Sequence, residues 1–463
     1  MTATPDMSTT AGKIADLRNR LDDTGRPAAR ERVESLLDDG SFVEIDALAR
    51  HRATAFGADK KRPLTDGIVS GYGSIDGRPV CVFAQDQSIF EGQLGETAGE
   101  KILKVTELAA KSGTPLVALY DGTGARMKEN LAAMEFFTRI YRQQAVISGV
   151  VPQIAVVTGK TSGAQAHAVA LSDVVVSVAE QGTVQLGEQA TEFNLSHVTV
   201  EDDSAALEAV ANILSYLPSN NRSVPLEAEY EDIDVSALDA FMPDESHVAY
   251  DVTELLSLVV DDGSLLQLQP QFAPHLVTAF ARVEGRSVAI VANQPQVAAG
   301  ALDVEAADKA ARFMRMADAF NIPIVTVVDT PGFVEEADVV RRTAKLISAS
   351  ANASVGKISL VTRKSFGPAY VAFGAKRLGF DVVLAWPTAE ISVADAQTIA
   401  EAVGKDEQVI TDELINPYIA AERGLVDAVI PPSATRQRIG EALRLLERKV
   451  EDTLPRKHDN MPL

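Results

Sequence analysis

Four glycine-bearing turns carry the residues of this 463-residue chain that are best suited to chemistry. They are DGTGAR (121–126), GKTSGAQAH (159–167), DTPGF (329–333) and TRKSFGPAYVAFGAK (362–376). Turns between a parallel strand and a helix present backbone N–H groups at the carboxyl edge of the sheet. Two N–H groups directed at one point form an oxyanion hole, which stabilises charge developing on a carbonyl oxygen, such as that of a thioester enolate. The simpler alternative is that these glycines only permit unusual backbone conformations.

A proline interrupts the last of these turns. Pro368 stands where the turn joins the following helical pattern, and proline has no N–H to donate. Either a catalytic donor is missing at this position, or the turn has no catalytic role.

The other candidate groups give weaker signals. The six histidines include no HExxH or similar spacing, so no metal site is predicted. His167 is expected either to orient a substrate or to be partly buried and structural. Arg126 and Lys128 have the charge to meet phosphates, but surface ion pairing is the commoner role of such residues, and the same holds for Arg341 and Arg342. No Walker loop or GxGxxG motif is present, which disfavours kinases, ATPases and nicotinamide enzymes.

The elements that position these turns occur twice. GRPVCVFAQD from Gly77 resembles GRSVAIVANQ from Gly285, an offset of 208 residues that persists downstream. The matching pairs are Lys101 and Lys309, Pro115 and Pro323, Asp121 and Asp329, Gly124 and Gly332, and, after a small shift of register, Asp173 and Asp381. We expect each aspartate of the last pair to cap the strand that follows it rather than to act as a base.

Each copy predicts the same series of elements. A β run leads to a helix with apolar residues three and four apart, then to a turn with Gly or Asn before Pro, and then to a nearly all-apolar strand. Strands that alternate with helices predict an α/β fold with a mostly parallel sheet. We therefore predict a tail and helix start over 1–28 and two similar domains from an internal duplication, over 29–232 and 233–463, separated by a linker rich in Pro, Ser and acidic residues.

Composition limits the function classes. The net charge of −22 disfavours nonspecific binding to nucleic acid or to an anionic membrane. Cys81 is the only cysteine, which excludes intrachain disulfides and Cys-based zinc sites and fits a cytoplasmic protein. No apolar run reaches the roughly 20 residues needed to span a bilayer, and the first ten residues do not have the pattern of a signal peptide.

The chain resembles the carboxyltransferase (β) subunit of biotin-dependent acyl-CoA carboxylases of the propionyl-CoA and acetyl-CoA type. Six stretches carry the resemblance: ARERVESLLDDGSFVEI, DGIVSGYGSIDGRPVCVFAQD, SGVVPQIAVVTG, ILSYLPSNN, AADKAARFMRMADAFNIPIVTVVDTPGF and LAWPTAEISV. They extend over most of the chain, from about residue 29 to 430. The family's fold, two tandem crotonase-like (ClpP/crotonase) domains, agrees with the duplication inferred from the repeats.

The resemblance implies a mechanism and a set of site residues. A carboxylated biotin on a separate carrier protein releases CO₂, biotin takes the α-proton of the acyl thioester, and the enolate captures the CO₂. The catalytic turns would be Gly163 and Ala164 on the acyl-CoA side and Pro368 and Ala369 on the biotin side. Gly124, Ala125, Arg126 and His167 would contact the substrate. Gly332, Phe333, Gly367 and Tyr370 would line the biotin side. The implied partners are an acyl-CoA or acyl-carrier thioester, biotin carboxylase and biotin-carrier chains, and further copies of this chain in a hexamer, with each site between two subunits.

The chain departs from the family pattern in the loops around the expected site. The family's first turn usually reads Ala-Gly-Gly-Ala where this chain has SGAQ, and Pro368 replaces the second Gly of Phe-Gly-Gly-Ala-Tyr. Glu91 and Thr123 each replace a Gly. The connection after PGF is shorter than usual, and the Thr-Gly-Pro and Leu-Gly-Gly segments expected near LGEQATEFNLSHVTVED are missing.

Three functions therefore remain open at this stage. The first is an acyl-CoA carboxyltransferase with a modified site. The second is a biotin-independent decarboxylase of malonyl-type thioesters, which needs no cofactor and does not need the donor that Pro368 removes. The third is a non-catalytic partner subunit of a carboxylase complex.

Overall fold

The computed structural model describes residues 5–22, 28–187, 190–191, 195–451, 454–458 and 460. The first residues of the predicted tail and parts of the connection near 188–194 lie outside this range. The described chain forms two compact units, one over 1–215 and 219–221 and the other over 216–218 and 222–463. The change of unit lies over residues 216–222, at the start of the linker rich in Pro, Ser and acidic residues, and the boundary near residue 232 stays a prediction.

The first unit is built on a sheet with the strand order β1-β2-β3-β4-β5-β7-β10. Its first two pairings are antiparallel and the other four are parallel. The strands of the first unit as a whole are β1 (Val43–Glu44), β2 (Ile68–Ile75), β3 (Arg78–Gln85), β4 (Leu116–Tyr120), β5 (Gln153–Val157), β6 (Thr161–Ser162), β7 (Val174–Val178), β8 (Val184–Gln185), β9 (Ala190–Thr191) and β10 (Val198–Val200). Its helices are α1 (Thr10–Asp22), α2 (Ala28–Leu36), α3 (Glu96–Ser112), α4 (Leu131–Ile147), α5 (Ala164–Ala170) and α6 (Asp203–Tyr216).

The second unit repeats this topology with the strand order β11-β12-β13-β14-β15-β16-β18, and β17 pairs with the end of β15. Its strands are β11 (Leu266–Leu268), β12 (Leu276–Val283), β13 (Arg286–Asn293), β14 (Ile324–Thr330), β15 (Lys357–Phe366), β16 (Val382–Ala385), β17 (Glu390–Ser392) and β18 (Ala428–Val429). Its helices are α7 (Val252–Ser257), α8 (Val304–Ala319), α9 (Val339–Asn352), α10 (Gly367–Ala372), α11 (Ala396–Val403), α12 (Glu407–Leu414), α13 (Pro417–Glu422) and α14 (Thr435–Leu446). The duplication and the mostly parallel sheets predicted from the sequence are confirmed.

Burial in each unit follows the predicted pattern. Every residue of β4 and of β14 is buried, as expected for central strands covered on both faces. The helix before each of these strands ends at a left-handed residue, Gly113 with φ 66° and Asn321 with φ 57°. A left-handed residue satisfies the last carbonyls of a helix and turns the chain toward the next strand. The two central strands are therefore fixed at matching places in both copies.

A buried lysine occupies the same position in both copies. The Nζ of Lys101 donates to the carbonyls of Thr65 and Ile68. Lys309 is 3% exposed and donates to four backbone carbonyls. These belong to Gln269, Phe272, Ala273 and Leu276. Burial lowers the pKa of Lys101 to about 8 and that of Lys309 to about 7. Each lysine thus satisfies the irregular backbone that enters the first long strand of its sheet.

We predict that Lys309→Met lowers the free energy of unfolding by about 3 kcal/mol or more at pH 7, because it leaves buried carbonyls without a donor. Lys101→Met, with fewer bonds to lose, should cost about half as much.

The folded-state pKa of Lys309 lies below its unfolded value, so the unfolded chain binds more protons than the folded chain above pH 7. The contribution of Lys309 to the free energy of unfolding therefore rises with pH. The difference in the free energy of unfolding between the wild-type protein and Lys309→Met should grow by about 1 kcal/mol per pH unit between pH 7 and 9. Denaturant unfolding at several pH values measures both effects, and equal losses in the two variants would contradict the account.

Candidate active site

Two of the predicted turns of the first unit come together at the carboxyl edge of its sheet. A Cβ atom placed on Gly163 would lie 3.8 Å from the Cα of Gly124, and one on Gly124 would lie 3.4 Å from the carbonyl oxygen of Ser162. Both glycines have positive φ, 61° for Gly163 and 95° for Gly124. Glycine adopts this left-handed backbone conformation without strain, which lets the two turns lie close together.

The N–H groups of the second turn differ in their availability. The N–H of Gly163 donates to the carbonyl of Gln185 over 3.0 Å, so it is not free for a ligand. Ala164 is the first residue of α5, where an N–H has no partner within the helix, and no acceptor contacts it in the described part of the chain. The carbonyl of Ala164 accepts a hydrogen bond from the hydroxyl of Tyr141. Of the predicted donor pair, the structure therefore leaves Ala164 available.

Arg126 has an internal role that differs from the predicted contact with substrate. It is 5% exposed, and its NH1 donates to Asp66 over 2.9 Å and to Glu129 over 2.6 Å. Its guanidinium lies 4.2 Å from the ring centroid of Phe90. Desolvation raises the pKa of Asp66, and the charge of Arg126 opposes that shift. The NH1 and NH2 groups of Arg126 are thus bonded within the fold, and its contact with substrate stays a prediction.

The other two predicted substrate contacts, Ala125 and His167, lie one in each of these turns. Ala125 follows Gly124 and forms a parallel bridge with Leu94, which fixes the height of the DGTGAR turn. His167 lies on α5, is exposed, and presents its ring edge-on to Tyr141 at a centroid distance of 6.2 Å. The exposure of His167 differs from the partly buried alternative considered from the sequence.

The matching turn of the second unit places Pro368 where the first unit has Ala164. Ser162 pairs with Gln185 on β8, and Phe366 pairs with Ser392 on β17, both in parallel register. The next residue in each copy, Gly163 or Gly367, has positive φ, 61° or 56°. The residue after that is Ala164 or Pro368. The available N–H of the first turn therefore has no counterpart in the second, where Ala369, fully buried in the first turn of α10, retains its own N–H.

The predicted biotin-side residues line one large cavity in the second unit. The cavity has a volume of about 1190 Å³, and Phe333, Gly367, Pro368 and Tyr370 belong to its wall. Burial raises the pKa of the Tyr370 hydroxyl, so it remains protonated and can donate. Gly332, with φ 145°, lies beside Phe333 outside this wall. The remaining lining is mostly aliphatic and includes one charged residue, Arg423.

Sequence reasoning missed Gln165 and assigned Asp173 and Asp381 structural roles. The side chain of Gln165 is buried and donates to the carbonyls of Gly92 and Gly124, each over 3.2 Å. No local pattern announces such a contact, because the acceptors lie 73 and 41 residues away. Asp173 and Asp381 accept hydrogen bonds from the first N–H of β5 and of β15, so they cap the preceding strand rather than the following one.

Two further properties concern only the part of the chain that the structure describes. No group of three or more His, Cys, Asp or Glu side chains there is arranged to hold a metal ion. None of the helices within the described ranges combines the length and the apolar character required to cross a bilayer.

The chain matches the sequence family described as carboxyl transferase domain over residues 21–193 and 188–461. The chain is 42% identical to the biotin-dependent acetyl-/propionyl-coenzyme A carboxylase beta5 subunit of Mycobacterium tuberculosis, covering 99% of this chain and 97% of that protein. It is 39% identical to the methylmalonyl-CoA decarboxylase subunit alpha of Propionigenium modestum, over 99% of this chain and 100% of the relative. The crystal structure of transcarboxylase 12S, a hexamer with hydrolysed methylmalonyl-coenzyme A bound, superimposes with a TM-score of 0.94 at 34% identity, covering 98% and 99% of the two chains.

The alignment with the mycobacterial subunit is longer than this chain. The alignment with the mycobacterial subunit runs over 532 positions, 69 more than the 463 residues of this chain. The two family matches meet at residues 188–193, in the stretch where the sequence indicates a shortened connection. The alignment therefore contains at least 69 positions at which this chain has no residue.

Arg126→Met tests the internal role of this arginine. We expect a loss of about 3–5 kcal/mol in the free energy of unfolding, because two buried carboxylates lose their shared cation. The control is Lys128→Met, which removes an exposed cation two residues away and should leave stability within about 0.5 kcal/mol of the wild-type value. Thermal or denaturant unfolding measures both. An Arg126→Met variant of unchanged stability that binds acyl-CoA more weakly would restore the substrate-binding interpretation.

Proposed function

Because the chain belongs to the carboxyl transferase family, we propose that it is an acyl-CoA carboxyltransferase, which moves a carboxyl group between biotin and the α-carbon of an acyl thioester. The observation that carries this proposal is the free N–H of Ala164 beside the close approach of Gly124 and Gly163. This arrangement provides an unpaired backbone donor where the two turns meet.

The first unit would stabilise the enolate of the thioester. Removal of the α-proton moves negative charge onto the thioester oxygen, and the N–H of Ala164 would donate to that oxygen. The Tyr141 hydroxyl holds the carbonyl of Ala164, so this peptide segment is oriented before substrate binds. A preorganised donor of this kind contributes about 10²–10³ in rate.

The second unit would hold the biotin of a separate carrier protein, which supplies the carboxyl group when bound. The cavity is large enough for a bicyclic ring, and Phe333 and Tyr370 provide an apolar wall with one hydroxyl. Pro368 has no N–H to donate, and Ala369, which keeps its own, is fully buried and does not belong to the cavity wall. The cavity is therefore large enough for biotin, and the position that matches Ala164 of the first unit has no N–H.

The two alternative functions are not favoured by the comparisons. Relatives named as carboxylase β subunits match this chain along nearly its whole length, and so does transcarboxylase. The proposal extends to partners of the same class: biotin carboxylase and biotin-carrier chains, and a hexamer of this chain in the cytoplasm. Copurification of a biotinylated chain with the tagged protein would test the first of these partners, and its mass in solution would test the hexamer.

The activity is tested by incubating the purified protein with malonyl-CoA or methylmalonyl-CoA, with and without free biotin, and measuring acyl-CoA products by mass spectrometry. We expect loss of the carboxyl group that depends on biotin. Loss at the same rate without biotin would replace the proposal with a decarboxylase. No turnover even with a biotinylated carrier protein would contradict the proposal.

Pro368→Ala and Pro368→Gly each restore an N–H to the second turn. Ala at this position recreates the Gly-Ala pair of residues 163 and 164, which the fold accommodates in the first unit. If the missing donor limits the biotin half-reaction, both variants should raise the biotin-dependent rate by about tenfold or more.

The matched control for this experiment is Pro432→Ala, because Pro432 also begins a short helical turn in the second unit but does not line the cavity. We expect the control to leave the rate unchanged. A decrease or no change in both Pro368 variants would show that the second turn does not contribute a donor to the reaction.

A further inference from the structure

Gln165 connects the free donor of the first unit to two other loops. Its side chain is 1% exposed, and its Nε2 donates to the carbonyls of Gly92 and Gly124, each over 3.2 Å. Two carbonyl acceptors fix the orientation of the amide, because only its NH₂ group can face both. The backbone of Gln165 directly follows Ala164, so the side chain anchors the start of α5.

The two acceptors lie on loops that are themselves bonded to each other. The N–H of Leu94 donates to the carbonyl of Gly124 over 2.8 Å. The N–H and the hydroxyl of Thr123 both donate to the carbonyl of Glu91, each over 3.3 Å. Glu91, Thr123 and Gln165 therefore belong to one hydrogen-bonded group around Gly92 and Gly124.

The second unit shows that the fold does not require this connection. Its loops pair in the same way, with the N–H of Leu302 donating to Gly332 over 3.0 Å and the N–H of Val334 donating to Leu302 over 2.9 Å. The residue equivalent to Gln165 is Ala369, which has no side-chain donor. The same sheet and the same loop pair thus form without the tether.

We propose that Gln165 is a positioning residue that holds the N–H of Ala164 in a fixed place relative to the Gly124 turn. The proposal rests on the carboxyltransferase function inferred above. The hydroxyl of Tyr141 restrains the carbonyl of Ala164. The next residue, Gln165, is restrained by the bonds of its side chain to Gly92 and Gly124. The donor is therefore held by two side chains from outside its own backbone.

The first arm of the test needs no substrate. Gln165→Met keeps the length of the side chain and removes both hydrogen bonds. Gln153→Met is the matched control, because Gln153 is also 1% exposed in the first unit and donates to one carbonyl, that of Gln144, over 3.2 Å. Amide hydrogen exchange should become faster at residues 91–95 and 123–126 in Gln165→Met and not in Gln153→Met. Equal exchange at these residues in both variants would overturn the proposal.

The second arm measures catalysis in the wild-type protein and both variants. We expect Gln165→Met to lower kcat by about 10- to 100-fold with KM within about twofold, since a small misplacement of a donor affects the transition state more than the bound substrate. Gln153→Met should keep kcat even if it loses as much thermal stability. A Gln165→Met variant with unchanged kcat, or equal losses in the two variants, would contradict the proposal. An inactive wild type would contradict the proposed function instead, and the exchange measurement would still decide whether the tether exists.

Discussion

The site depends on whether one backbone N–H exists at the start of the helix that follows each glycine turn. The parallel strands bring the turn to the edge of the sheet, the positive φ of the glycine turns the chain, and the next residue lies in the first turn of a helix. In the first unit that residue is Ala164, whose N–H cannot be satisfied within α5. In the second unit it is Pro368, where the N–H is chemically absent. Two copies of one fold thus differ in the donor itself.

This difference explains how the two halves can be alike in structure and unlike in chemistry. The first unit holds its donor with the side chains of Tyr141 and Gln165. The second unit has a wide, mostly aliphatic cavity beside Pro368 and no tether equivalent to Gln165. Under the proposed function, the first half would stabilise charge, and the second would enclose a group with few directed hydrogen bonds.

Much of the fold follows from the sequence because it depends on local patterns repeated twice. The all-apolar strands β4 and β14, the helices before them and the left-handed residues Gly113 and Asn321 are all visible as short motifs. Residues whose role depends on distant partners are not. The N–H of Gly163 is occupied by Gln185 on another strand, and Arg126 pairs with Asp66, 60 residues earlier. Neither contact has a signature in the neighbouring sequence, so the internal partners of Gly163 and Arg126 could not be predicted from motif position.

The most direct test of the central claim changes only the N–H of Ala164. Replacing Ala164 with lactic acid by nonsense suppression substitutes an ester for the amide and keeps the methyl group, so the side chain is unchanged and the donor is gone. If this N–H stabilises the enolate, kcat for biotin-dependent decarboxylation of malonyl-CoA or methylmalonyl-CoA should fall by about 10²–10³ with little change in KM. A kcat within about threefold of the wild-type value would show that the reaction does not use this donor.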